Sequence, residues 1–92
     1  MSTRKKTLEK WKYNTPVDAP IDSVKAIIDY YFGEFEQNAT SHMVIKDEDL
    51  KKNGITEIAG FFVIPVSGGQ KVKGRYLKRL VEAIEIKTGE TI

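Results

Sequence analysis

From residue 61 to residue 80 the chain reads FFVIPVSGGQKVKGRYLKRL, and the reading of this stretch decides the fold. Phe61, Phe62, Val63 and Ile64 form an unbroken apolar run inside a strand expected over Ile58 to Val66. A run of this kind suits a strand buried on both faces. Pro65 has no N–H to give to a ladder, so it should end the strand or lie on a sheet edge. Ser67-Gly68-Gly69 reads as a turn. Beyond it the period changes from two to that of a helix. Tyr76, Leu77, Leu80, Val81 and Ile84 share one face of a helix expected from about Gly74 to Lys87, and Gly89 follows as its stop. Arg75, Lys78 and Arg79 lie largely on the other face.

Upstream, Ser41 to Lys46 alternates, with Met43 and Ile45 on one side and His42 and Val44 on the other. Glu34 to Gln37 also alternates, and Asn38-Ala39-Thr40 after it makes a turn. The charged segment Asp47 to Glu57, which holds Asn53-Gly54, reads as a loop or hairpin tip. Further back, Ile21, Val24, Ile27, Ile28 and Tyr31 recur at helical spacing. Pro20 is favoured in a first helical turn, where its missing N–H costs nothing, and Asp18 is the better capping side chain. Gly33 ends that helix, which is expected over Pro20 to Phe32. The order is α-β-β-β-α. An α+β domain, with a three-stranded antiparallel sheet and both helices on one face, buries every apolar stripe. This domain is expected over residues 18–92, after a basic N-terminal extension at 1–17. For residues 1–15 two readings stand side by side: a short helix, since Leu8 and Trp11 share a face, or a mobile extension. Trp11 and Tyr13 between lysines suit stacking on bases, but packing on the domain is the commoner outcome for such aromatics.

Ninety-two residues support one modest core. With 40% hydrophobic and 30% charged residues the chain is not of the disordered type. It has no cysteine, which removes disulfides and thiolate metal sites. No apolar run is long enough to span a membrane, and Met-Ser-Thr-Arg-Lys-Lys is unlike a signal peptide, so a cytoplasmic location is expected. The net charge is only +2, but it is unevenly distributed. Five acidic residues and one basic residue lie between Asp18 and Glu36, whereas Lys71, Lys73, Arg75, Lys78 and Arg79 follow one another with no acidic residue among them. Arg4, Lys5, Lys6, Lys10 and Lys12 form a second cluster. Phosphate backbones respond to such local clusters, although by charge alone a solvated helix face and a floppy tail are the commoner reading.

Few residues offer chemistry. The sole histidine makes no histidine pair for a metal, Asp47, Glu48 and Asp49 lack ligand spacing, and Gly68-Gly69 lacks the lysine-serine ending of a phosphate loop. No metal or cofactor is expected. Ser41, adjacent to His42 in a strand, points to the opposite face, which argues against a nucleophile–base pair. Histidine is the side chain best suited to moving protons near neutral pH. Near several cations it is able to promote attack of an RNA 2′-hydroxyl on its own phosphate. By spacing alone, a lone histidine in a strand is more often structural or incidental.

Thr40-Ser41-His42, then Val63-Ile64-Pro65-Val66, then Gly69-Gln70-Lys71-Val72-Lys73-Gly74 and Tyr76-Leu77-Lys78-Arg79-Leu80, together resemble the HicA family of toxin–antitoxin mRNA interferases. The likeness spans roughly Pro20 to Glu85 and rests on the order and spacing of these elements. Thr40 stands where the family has glycine, the Asp47–Glu57 loop is longer than usual, and the N-terminal segment has no clear family counterpart. The resemblance implies a double-stranded-RNA-binding-domain-like fold and metal-independent mRNA cleavage with His42 as the catalytic residue. It also implies neutralisation by a HicB-like antitoxin. On this reading Lys71, Lys73, Arg75, Lys78 and Arg79 hold RNA. A non-enzymatic RNA-binding domain and a protein-interaction module are the alternatives that the same fold admits.

Overall fold

A computed structural model describes residues 3–33, 36–38, 42–52, 54, 61–68 and 70–92. The expected Glu34–Phe35 and Ile58–Gly60 strand starts lie outside these residues, as do Ala39-Thr40, Ser41, Asn53 and Gly69. The elements in chain order are α1 (Thr3–Tyr13), β1 (Asp18–Pro20), α2 (Ile21–Phe32), β2 (Glu36–Asn38), β3 (His42–Lys46), α3 (Glu48–Lys52), β4 (Phe61–Pro65), β5 (Lys71–Lys73) and α4 (Gly74–Thr88). β2, β3 and β4 form one antiparallel sheet in that order, and β1 pairs antiparallel with β5 in a separate ribbon.

Both long helices stop where glycine permits it. Gly33, at φ 79°, donates its N–H to the Asp29 carbonyl, and Gly89, at φ 74°, donates to Glu85. Their apolar stripes meet one face of the sheet. Met43 is paired with Ile64 and Ile45 with Phe62, and all four are buried in a single cluster with Ile27, Ile28, Leu77, Leu80 and Val81. On the opposite face His42 and Lys46 are exposed and Val44 and Val63 half-buried. In β4, Phe62 and Ile64 are fully buried on the helix side, whereas Val63 on the other side is only half-buried. The helices all serve one side of the sheet, so alternation decides burial there. Pro65 is the last residue of β4, on the sheet's edge, where no ladder N–H is needed.

Two segments depart from the sequence reading, and a third takes one of its two readings. Asp18–Pro20 is a strand, not the cap of α2. The helix starts after Pro20 without a side-chain cap, because the Gln70 carbonyl accepts the Ile21 N–H at 3.0 Å. The Asp47–Glu57 segment contains α3. Asp47 Oδ1 accepts the N–H groups of Asp49 (2.9 Å) and Leu50 (3.3 Å), which caps the turn, and Leu50 is fully buried. Lys87 then fastens that cap to α4, at 2.8 Å from Asp47 and 3.3 Å from Asp49. The third, residues 3–13, is the helix that the shared face of Leu8 and Trp11 suggested, not a mobile extension. Leu8 and Trp11 belong to the common core, so Trp11 is not free to stack on bases.

The connector from α1 to β1 is held against the start of α4. Gly74 donates its N–H to Val17 at 2.9 Å, and a Cβ on Gly74 would collide with the Pro16 carbonyl and crowd the Thr15 methyl. Lys12 donates to Glu85 at 2.6 Å and to the Ile92 carbonyl at 3.0 Å, while Glu85 also accepts the Ile92 N–H at 2.8 Å. The Lys12 and Ile92 hydrogen bonds hold the Glu85 carboxyl below the usual carboxylate range.

These contacts give three stability tests by chemical or thermal denaturation. Trp11→Ala is expected to cost about 3–5 kcal/mol, as for a core aromatic, whereas loss of a detached tail residue costs nothing. Gly74→Ala is expected to cost about 1–3 kcal/mol, because the opposing group is backbone and cannot swing away. Glu85→Gln should lower the melting temperature at neutral pH only slightly, since both partners are about a quarter exposed. A depressed carboxyl stabilises above its unfolded pKa and loses that contribution as pH falls through its folded value. The gap from wild type should therefore close below about pH 4.

Candidate functional site

His42 is the first residue of β3 and is exposed on the sheet face turned away from the helices. Its cross-strand neighbours are Asn38 on β2 and Pro65 on β4. Two residues past Pro65, the Ser67 N–H and hydroxyl both donate to the Lys71 carbonyl at 2.9 Å. Gln70, at φ 59°, closes the same turn by donating to the Ser67 carbonyl at 3.1 Å. The chain thus passes from the strand end beside His42 directly into the cationic segment.

Within that segment β5 alternates. Val72 is fully buried, so Lys71 and Lys73 project outward together. Arg75 and Lys78 follow on the exposed face of α4, opposite Leu77, Leu80 and Val81. Lys73, Arg75 and Lys78 converge on an open groove of about 480 Å³, whose other wall is Thr15, Pro16 and Val17. Arg79 does not join them. It is half-buried, with its guanidinium carbon 5.5 Å from the centre of the Phe62 ring. The groove wall formed by the connector was missed in the sequence. Its one signal is Gly74, a poor helix residue at a helix start, which marks a close backbone approach.

The two basic clusters are used differently. In α1, Arg4 lies 3.4 Å over the Tyr30 ring, Lys5 is 3.6 Å from Glu90 and Lys12 is paired with Glu85, which leaves Lys6 and Lys10 exposed. In the groove, Lys73, Arg75 and Lys78 have no ion-pair partner among the described residues. Lys73 and Arg75 also sit at the wrong end of a helix. α4 has no acidic residue in its first turn and no side-chain cap, so its positive end meets further positive charge. Each such cation typically costs a helix about 0.3–1 kcal/mol, the reverse of the arrangement that favours folding. A bound anion removes that penalty.

Among the described residues no three His, Asp or Glu side chains are grouped to hold a metal ion, and no helix is long and apolar enough to cross a membrane. No protein-family model, curated protein or solved structure matches the chain. His42→Ala removes an exposed side chain that lies outside the core. It should leave unfolding free energy within about 0.5 kcal/mol of wild type in a urea titration, and a larger loss would assign His42 to the structure.

Proposed function

We propose that this chain is a metal-independent mRNA endoribonuclease of HicA type, the toxin of a toxin–antitoxin pair, on a double-stranded-RNA-binding-domain-like fold. The observation that carries this reading is the exposure of His42 on the sheet face turned away from the helices, across from the end of β4, which leads into Lys71 and on to Lys73, Arg75 and Lys78. His42 takes the proton from a ribose 2′-hydroxyl as that oxygen attacks the adjacent phosphorus, or gives a proton to the departing oxygen. The new 2′-O–P bond forms as the P–O5′ bond breaks, and O5′ leaves with a proton. The products are a 2′,3′-cyclic phosphate and a 5′-hydroxyl. Lys71, Lys73, Arg75 and Lys78 hold phosphates and offset the charge that builds up on the phosphoryl oxygens. Arg79, turned toward Phe62, contributes at the margin. A HicB-like antitoxin neutralises the activity, and the cytoplasm is the site of action. RNA binding without cleavage is the second reading, because the groove and its cations do not depend on His42.

Purified protein freed of antitoxin should cleave single-stranded RNA in the presence of a chelator, leaving cyclic phosphate ends. His42→Ala should lower the rate by about 10²–10⁴-fold, the usual contribution of a general acid or base, while RNA affinity is retained. Growth inhibition on expression should disappear with the same substitution. Tight RNA binding with no cleavage by wild type favours the second reading, and neither binding nor cleavage defeats both.

A further inference from the structure

We infer that the groove between the α1–β1 connector and the start of α4 takes one nucleotide unit of a single RNA strand, with its phosphate against Lys73, Arg75 and Lys78 and its base or ribose face against Val17. This rests on the RNA-binding reading above and adds to it a wall supplied by the N-terminal segment.

Val17 is 88% exposed, the most exposed of the large apolar residues described. Single apolar residues on a surface are ordinary. Val17 differs in being held there. Its carbonyl accepts the Gly74 N–H, the next residue enters the β1–β5 ladder, and Thr15 is tied back to α1 through its hydroxyl to the Trp11 carbonyl at 2.5 Å. The Pro16 carbonyl already fills the space over Gly74, so the connector has no room to sink toward α4. An apolar surface fixed in advance loses little conformational freedom when a ligand covers it.

The opposite wall carries three cations without carboxylate partners among the described residues. A small inorganic anion leaves Val17 in water, and an apolar ligand strips water from the cations without replacing it. A nucleotide unit satisfies both walls, and an open groove of about 480 Å³ leaves room for one along the surface. Only a single strand has base faces open to such a contact, since those of a duplex are stacked.

The test compares wild type with Val17→Ser and Lys78→Gln, each checked for an unchanged melting temperature. The probe is a fluorescent 2′-O-methyl RNA 12-mer, which cannot cleave itself, titrated at several salt concentrations. Val17→Ser is expected to weaken binding about threefold to tenfold, the value of one small apolar contact, with an unchanged salt slope. Lys78→Gln should instead flatten the log–log salt slope by about 0.7, one single-strand phosphate contact. Binding by Val17→Ser equal to wild type overturns the nucleotide groove and leaves the RNA-binding reading standing. Absence of binding by wild type overturns both. Binding of a glutamate decapeptide that depends on Val17 and matches the RNA in affinity would give the groove to an acidic protein segment, and also overturns the assignment.

Discussion

The pairing of Asp18–Pro20 with Lys71–Lys73 is the constraint on which the remaining architecture depends. Three residues of each strand are joined antiparallel, Asp18 opposite Lys73 and Pro20 opposite Lys71, and each strand runs directly into a helix. The ribbon therefore fixes where α2 and α4 begin and sends them from opposite ends of one ladder. It also sorts the side chains. Ala19 and Val72 go to the core, and Lys71 and Lys73 are turned outward by the same alternation. Because Val17 precedes the ladder and Gly74 follows it, the Gly74–Val17 hydrogen bond continues the pairing and brings the connector onto α4. Packing of α1 on α4 follows from that turn of the chain, with Leu8 and Trp11 covered as a result.

What was legible in the sequence is what rests on many residues at once. Helices α2 and α4 each show four or more apolar residues at helical spacing, and glycines stand just beyond their ends. The strands β3 and β4 show enough alternation or apolar length to be read, and alternation alone put His42 on the face opposite Met43 and Ile45. The ribbon strands are too short for any period, and Pro20 in one of them is equally a residue for the start of a helix. α1 is poor in apolar residues, so its helix rests on two buried anchors, Leu8 and Trp11. The short α3 depends on one, Leu50, within a charged stretch. In such segments partners distant in sequence decide the structure, and no local pattern shows those partners.

The candidate site was legible in composition but not in arrangement. Five cations between Lys71 and Arg79 were visible, yet their grouping depends on which side of α4 faces the sheet. Arg79 falls beside Phe62 and leaves the set, while Lys73, Arg75 and Lys78 face a wall drawn from residues some 60 positions earlier in the chain. The N-terminal cations, which looked equally suited to phosphates, are largely engaged in holding α1 down. Arg4 stacks on Tyr30, Lys5 pairs with Glu90, and Lys12 bridges Glu85 and Ile92. Like charges in sequence are thus divided by the fold between stability and surface.

That division explains why the start of α4 is built against its own helical preference. A helix gains from acidic residues in its first turn and from a capping side chain, and α4 has neither. The loss is tolerable because the helix is anchored elsewhere. Leu77, Leu80, Val81, Ala83 and Ile84 are buried along its length, and Glu85 and Lys87 in its last turns reach Lys12, Asp47 and Asp49. Core burial of this extent outweighs a few tenths to one kcal/mol per misplaced charge. The exposed end is then free to carry three cations that have no ion pair among the described residues. His42 is in a similar position on the sheet, where Met43 and Ile45 provide the packing and the histidine is exposed. Local disagreement between a residue and the element that carries it is tolerated where the structure has stability to spare, and in folded domains such disagreements gather at sites of function. Here they fall on one exposed strand end, one ribbon strand and the first turns of one helix, elements that a single turn, Ser67 to Lys71, joins.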